Sequence, residues 1–189
     1  MHVFLIAAIS VDGQIGQATD QVSTAWTSKE DKKFFTQRTK EAGLMVLGSQ
    51  TFRTFNRLLP SRKMIIMTRD VEAFRQSVEL EVVEVNSETV SLDREDVLYA
   101  TSMMPSALVS LLEGVGVKEL AVCGGSSIYA QFIAAGLVET LYLTIEPIAF
   151  GKGVPLFGAP LRVDLVLKNV EQLSTQTLLC TYVRNNQSE

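Results

Sequence analysis

The sequence predicts an α/β fold on a mostly parallel sheet, and three observations predict it. Short apolar runs of strand length recur along the chain, segments with helical spacing lie between them, and the last stretch changes to an alternating pattern. The first run is VFLIAAI (3–9), followed by LMVL (44–47), MIIM (64–67), LAVC (120–123) and LYLTI (141–145). Such runs suit strands covered on both faces, as in a parallel sheet. Helical spacing over about 28–40, 50–57, 105–114 and 126–135 supplies the crossovers. RVDLVLKNVEQL (162–173) and TQTLLCTYVR (175–184) alternate and join through polar residues, which predicts an antiparallel hairpin at one edge. NSETVSLDRED (86–96) reads as an exposed loop.

With 189 residues, 47% of them hydrophobic and 20% charged, the chain reads as a single domain, 1–189, able to bury a core without metals or disulfides. A net charge of −4 argues against a nucleic-acid surface and leaves a small-molecule substrate as the expected partner, with room for a homodimer. Cys123 and Cys180 sit inside apolar runs and suit buried thiols in a reducing compartment. One histidine, His2, cannot build a metal cluster, so no metal is expected. HVFLIAAIS is too short for a bilayer and lacks the features of a signal peptide; the expectation is a cytoplasmic protein with no membrane partner.

Open α/β sheets bind ligands beyond the carboxyl ends of their strands. After LMVL come Gly48, Ser49, Gln50 and Thr51 at a helix start; after MIIM come Thr68, Arg69 and Asp70; LAVC ends in Cys123 and is followed by the pair Gly124 and Gly125. A strand that runs through paired glycines into a helix collects bare backbone N–H groups where an anion can sit. A tight turn with no ligand accounts for the same residues, and the G-x-G-x-x-G fingerprint is absent.

In WTSKEDKKFFTQR (26–38), Asp31, Phe34, Phe35 and Arg38 fall on one helical stripe. Two readings of the acid stand side by side. Ser28 to Asp31 has the spacing of a capping box, in which an acid serves the helix N-terminus. A carboxylate at the rim of an apolar pocket also suits binding and protonation of a nitrogen heterocycle.

Six ordered stretches resemble the dihydrofolate reductase superfamily, which includes the reductase domain of bacterial riboflavin biosynthesis. They are LIAAISVDGQIG, Trp26 with Asp31 five residues later, LGSQTF, LLPSRKMIIMTR, CGGSSIYAQF and LYLTIEP. The resemblance covers nearly the whole chain and implies a three-layer fold, a central mixed, mostly parallel sheet between helices with a C-terminal hairpin. It implies an NADPH-dependent oxidoreductase that transfers hydride to a C=N bond. Asp31 and Thr144 would hold the substrate ring, and Ala8, Trp26, Phe35 and Phe55 would surround it. Arg62 would meet the glutamate carboxylate of a folate. Ile15 and Gly16 would flank the nicotinamide. Gly48, Ser49 and Thr51 would support cofactor phosphate, together with Cys123, Gly124, Gly125, Ser126, Ser127, Ile128 and Tyr129. Thr68 and Arg69 would face the adenosine 2′-phosphate.

Dihydrofolate is the first substrate the resemblance suggests. SVDGQIG and GLVETLYLTIEPIAFGKGVPLF resemble the riboflavin branch, whose substrate is 5-amino-6-(5-phosphoribosylamino)uracil, and a nucleotide-binding member without turnover on either is the reading from another class. The chain departs from the family patterns at Ser49, where an arginine is common, and at Cys123, where the riboflavin branch commonly has glutamate. Its stretch 16–26 is also longer and lacks a proline before Trp26.

Overall fold

A computed structural model describes residues 1–88 and 90–185. The sheet grows from β1 (His2–Ser10), whose neighbours are both parallel to it: β7 (Glu119–Val122) on one side and β8 (Thr140–Glu146) on the other. Beyond β7 lie β3 (Leu44–Gly48), β4 (Lys63–Met67), β6 (Leu98–Thr101) and β5 (Val82–Glu84), all parallel. Beyond β8 the C-terminal hairpin, β10 (Leu165–Gln172) and β11 (Leu178–Arg184), runs antiparallel to the edge. A small second sheet pairs β2 (Gln14–Gly16) with β9 (Val154–Pro155).

Because side chains alternate across a strand, the continuous apolar runs feed two cores. Val3, Leu5, Val46 and Ile65 face α4 (Pro105–Gly114) and α5 (Ser126–Ala134), meeting Leu108, Leu112 and Phe132. Phe4, Met45, Leu47, Met64 and Ile66 face the other way, toward Phe52 of α2 (Ser49–Phe55), Phe74 of α3 (Val71–Gln76) and the partly buried Phe34 and Phe35 of α1 (Lys29–Ala42). The result is helix, sheet, helix in three layers.

The four helices read from spacing stand within two residues of their expected limits. The strands β5 and β6 and the helix α3 were not anticipated. The loop expected at 86–96 connects β5 to β6.

α1 is locked to the sheet by Arg38. Its guanidinium lies 3.9 Å from the centre of the Phe4 ring and forms two hydrogen bonds of 2.9 Å to Glu119 at the start of β7. His2 shares the same carboxylate at 3.0 Å. The Arg38 bond, with a smaller contribution from His2, holds the Glu119 carboxyl below the usual carboxylate range despite partial burial. A depressed carboxyl stabilises the fold above its unfolded pKa and loses that contribution as the pH falls through its folded one. Glu119→Gln is therefore expected to cost roughly 1–2 kcal/mol at neutral pH. In urea unfolding, variant and parent should converge in acid, below the ordinary carboxylate range.

Candidate functional site

Parallel strands bring their carboxyl ends to one edge, and the residues singled out in the sequence gather along it. Gly48 ends β3 and caps α2; Gly125 follows β7 and caps α5. The two turns touch, since Gly48 N donates to Gly124 O at 2.7 Å and Cys123 N to Val46 O at 2.9 Å. Gly124 has φ +104, open to glycine, and its peptide bond to Gly125 is cis. A Cβ on Gly125 would stand 2.8 Å from Thr51 Oγ1.

Neither Gly48 nor Gly125 offers a side chain to cap its helix, and neither helix carries an acid in its first turn. This separates them from α1 and α3, whose starts are capped by Ser28 and Asp70. The first turn of α5 has a neighbour in the loop that follows β8. Ser126 Oγ donates to Pro155 O at 2.5 Å, and Gly158 N donates to Ser126 O at 3.2 Å. Ser127 is exposed and accepts from Gln131 at 3.1 Å.

Two members of this stretch turn inward. Ile128 packs on Gly48, 3.1 Å from where a Cβ would be. Tyr129 is buried, donates its hydroxyl to Ile6 O at 2.8 Å and has its pKa pushed up by burial. Both support the turn from behind. Cys123 is buried too, and burial pushes its thiol well above the ordinary range, so it is a packing residue and not a nucleophile.

Further along the edge, Thr68 and Arg69 leave β4. Thr68 N donates to Thr101 O at 3.0 Å, and Arg69 is exposed, with no ion pair among the described residues. Ser49 and Thr51 open α2; Phe55 closes it, half-buried and edge-on to Phe52.

On the α1 side of the sheet, Ala8 of β1 pairs with Thr144 of β8. Alternation puts Tyr142, Thr144 and Glu146 on this face, beneath the start of α1. Asp31 lies here, 8% exposed in the first turn of the helix. Ser28 Oγ accepts from Asp31 N at 3.1 Å, which is one half of a capping box. The other half belongs to a different residue: Ser28 N donates at 2.8 Å to Glu146, not to Asp31. The Asp31 carboxylate is left to the pocket. Burial raises its pKa; the hydroxyls of Thr144 and Thr27 pull it back, Glu146 raises it further and Lys32 opposes, with a net upward result.

Three buried side-chain donors, Trp26 Nε1 and Thr27 Oγ1 before α1 and Arg62 Nε at the amino end of β4, have no hydrogen-bond partner among the described residues. Thr27 Oγ1 lies near the carboxylate without forming a hydrogen bond of good geometry to it. Trp26 stands edge-on to Phe150 at 5.2 Å. Arg62, just before β4, donates from Nη1 to Thr36 O at 3.3 Å and to Thr39 Oγ1, so its Nε is the group left over. Phe35, one turn beyond Asp31, is half-buried, and Ile15 and Gly16 form β2 after the exit of β1.

The residue that sequence reasoning left without a role is Glu146. Strand alternation along 141–146 puts it on the same face as Thr144, and that was the available signal. The arm at 148–158 was visible only as part of a family pattern, and its place was not, because its contacts to Trp26, β2 and α5 are long-range.

The RibD C-terminal domain family matches residues 1–179. The uncharacterized protein YyaP of Bacillus subtilis is 22% identical over 182 residues, 96% of this chain and 94% of that one. Among solved structures, a pyrimidine reductase-like protein from Corynebacterium diphtheriae superposes with a TM-score of 0.75 at 21% identity, over 98% of this chain and 92% of that one. A dihydrofolate reductase from Enterococcus faecalis, complexed with NADP(H), does so with a TM-score of 0.62 at 23% identity, over 98% and 97%. The dihydrofolate reductase-like fold is thus the fold of this chain.

If the Gly125 turn exists to let an anion approach the backbone, Gly125→Ala should weaken binding of a nicotinamide dinucleotide far more than folding. The expected loss is at least tenfold in Kd, or about 1.4 kcal/mol, by isothermal titration calorimetry. Thermal unfolding should shift much less, since Thr51 can rotate away from the new methyl. Equal losses in both would make the turn purely structural.

Proposed function

The chain belongs to the RibD C-terminal domain family, and on that premise we propose that it is an NADPH-dependent reductase adding hydride to a C=N bond of a pterin-like heterocycle, dihydrofolate first. The observation that carries this reading is the Asp31 carboxylate, buried beside Thr144 and released from capping because Glu146 takes the Ser28 N–H. A helix-terminal acid with only a capping role would have taken that N–H itself.

The residues present fit the cofactor. Two touching turns, both without side-chain caps and without first-turn acids, suit a pyrophosphate: Gly48, Ser49 and Thr51 on one side, Gly124 to Ser127 on the other. Thr68 and Arg69, which has no ion pair among the described residues, leave the same sheet edge, where a 2′-phosphate would meet a guanidinium. Ile15, Gly16 and Ala8 would flank the nicotinamide. NADPH, when bound, supplies the hydride.

The chain's own contribution is orientation and charge. Asp31 accepts from the amino and ring nitrogens of the substrate, and its position favours the ring's protonated form at the C=N bond that is reduced. Thr144 supports the same edge of the ring. Phe35 and Phe55 bound the ring on its apolar sides, and Trp26 Nε1 and Arg62 Nε offer buried donors, the latter suited to a carboxylate. A second reading, reduction of 5-amino-6-(5-phosphoribosylamino)uracil, is favoured by the family match and the pyrimidine reductase-like fold relative. In it Arg62 would meet a phosphate.

Supplying NADPH with each substrate separately and following loss of nicotinamide absorbance decides between them. Oxidation with the pyrimidine alone overturns dihydrofolate. Binding of NADPH with no oxidation by either favours a nucleotide-binding protein.

Asp31→Asn keeps the shape and removes the charge. Turnover at neutral pH should fall by about two to four decades and recover in part as the pH drops, because solvent then protonates the substrate in advance. Stability should run the other way. A carboxyl whose folded pKa is raised costs stability once the pH exceeds its unfolded value, so the Asn variant should unfold at the same or a higher temperature at neutral pH. Wild-type turnover in this variant would reject the assignment.

A further inference from the structure

Asp31 stands at the third position of α1, where an acid ordinarily turns back to take the N–H of the capping residue. In this chain the acceptor comes from β8. Glu146 Oε1 accepts from Ser28 N at 2.8 Å and from Ser28 Oγ at 2.7 Å, while its Oε2 accepts from Thr177 Oγ1 at 3.2 Å. Glu146 is 3% exposed, and Thr177, in the turn of the β10–β11 hairpin, is 2% exposed. Three donors from two elements therefore converge on one buried carboxylate, which joins the start of α1 to the end of β8 and to the hairpin turn.

We infer that Glu146 is a positioning residue for the reduction: by capping α1 from outside the helix, it keeps the Asp31 carboxylate turned to the substrate. This rests on the reading of Asp31 as the substrate acid. With a neutral, non-accepting side chain at 146, the partly buried Ser28 N–H loses its partner, and the acceptor on its own helix able to satisfy it is Asp31 in its capping-box position. The pocket then loses its acid to the helix end.

Glu146 acts on Asp31 in a second way, through charge. The groups that face this pair are Lys32 on α1, which opposes Glu146, and the buried neutral Tyr129 of α5; Thr27 and Thr144 bring hydroxyls to Asp31, and Ser28 and Thr177 bring theirs to Glu146. Removing the Glu146 charge should make Asp31 easier to ionise.

The test compares Glu146→Gln and Glu146→Ala in the full chain, following the Asp31 side-chain carboxyl by carbon-13 NMR titration and turnover with whichever substrate is active. The Gln variant keeps an oxygen for Ser28 and removes the charge. Its Asp31 midpoint should move to lower pH while kcat stays within about threefold. The Ala variant removes both, so the Asp31 midpoint should fall further and kcat should drop about tenfold or more, with the Gln variant restoring it. An Asp31 midpoint unchanged in either variant, or wild-type kcat in the Ala variant, overturns the inference. Should the Ala variant fail to fold, Glu146→Met, which fills the space without a capping oxygen, takes its place with the same expected and overturning outcomes. The carboxyl titration needs no turnover, so a fully active Asp31→Asn enzyme would remove the catalytic reading while the titration still reports whether Glu146 governs Asp31.

Discussion

Two carboxylates, Asp31 and Glu146, are buried within reach of each other where α1 begins over the end of β8, and the chain around them is arranged to give each its partners. Buried charge needs hydrogen-bond donors. The donors are allotted unevenly: the Ser28 amide, the Ser28 hydroxyl and the Thr177 hydroxyl all go to Glu146. Among the described residues, the hydroxyls beside the Asp31 carboxylate are those of Thr144 and the poorly aligned Thr27. One acid is thereby fixed as a structural joint, and its neighbour is left buried with fewer donors and a raised pKa. The same joint sets where α1 starts, and α1 in turn carries Phe35 and presents Thr36 and Thr39 to Arg62.

The far end of α1 meets a complementary constraint. Arg38, two turns after Asp31, is held by Glu119 and by the Phe4 ring at the amino ends of the strands, away from the crevice. The helix is thus clamped at both ends by ion–dipole or ion–ion contacts to the sheet, with an apolar stripe between them. A helix so fixed can hold a carboxylate against a substrate ring with little reorganisation, which is where preorganisation lowers a barrier.

How much of this the sequence carried depends on the range of the interactions. The apolar runs at 44–47 and 64–67 and the helix at 105–114 were legible because alternation and helical spacing are local, and the paired glycines marked their turn by composition alone. The strands β2 and β9 were not, since three residues and two residues carry no period, and their pairing links Gln14 to Pro155 across the chain. β6 was missed for a related reason: its four residues follow a polar stretch and offer too short a run to stand out, although all four are buried. The site followed the same rule. Asp31 was visible as an acid on an apolar stripe, but whether it caps or faces the pocket turned on Glu146, 115 residues away, and nothing local encodes that choice.

The segment after β8 shows what these long-range contacts do to the crevice as a whole. Asp12, at the exit of β1, accepts from the amides of Phe150 and Gly151, and Leu156 N donates to Gly13 O at 3.1 Å. Phe150 packs edge-on to Trp26, and Pro155 O takes the hydroxyl of Ser126 at the start of α5. One arm therefore touches the exit of β1, Trp26 ahead of α1 and the first turn of α5. The stretch from Val11 to Trp26 is bound to that arm at Asp12, at β2 and at Trp26, so a displacement of one carries the other with it. The β1 exit and Ser126 are thus joined by hydrogen bonds along the arm, a route separate from the ladder of the main sheet.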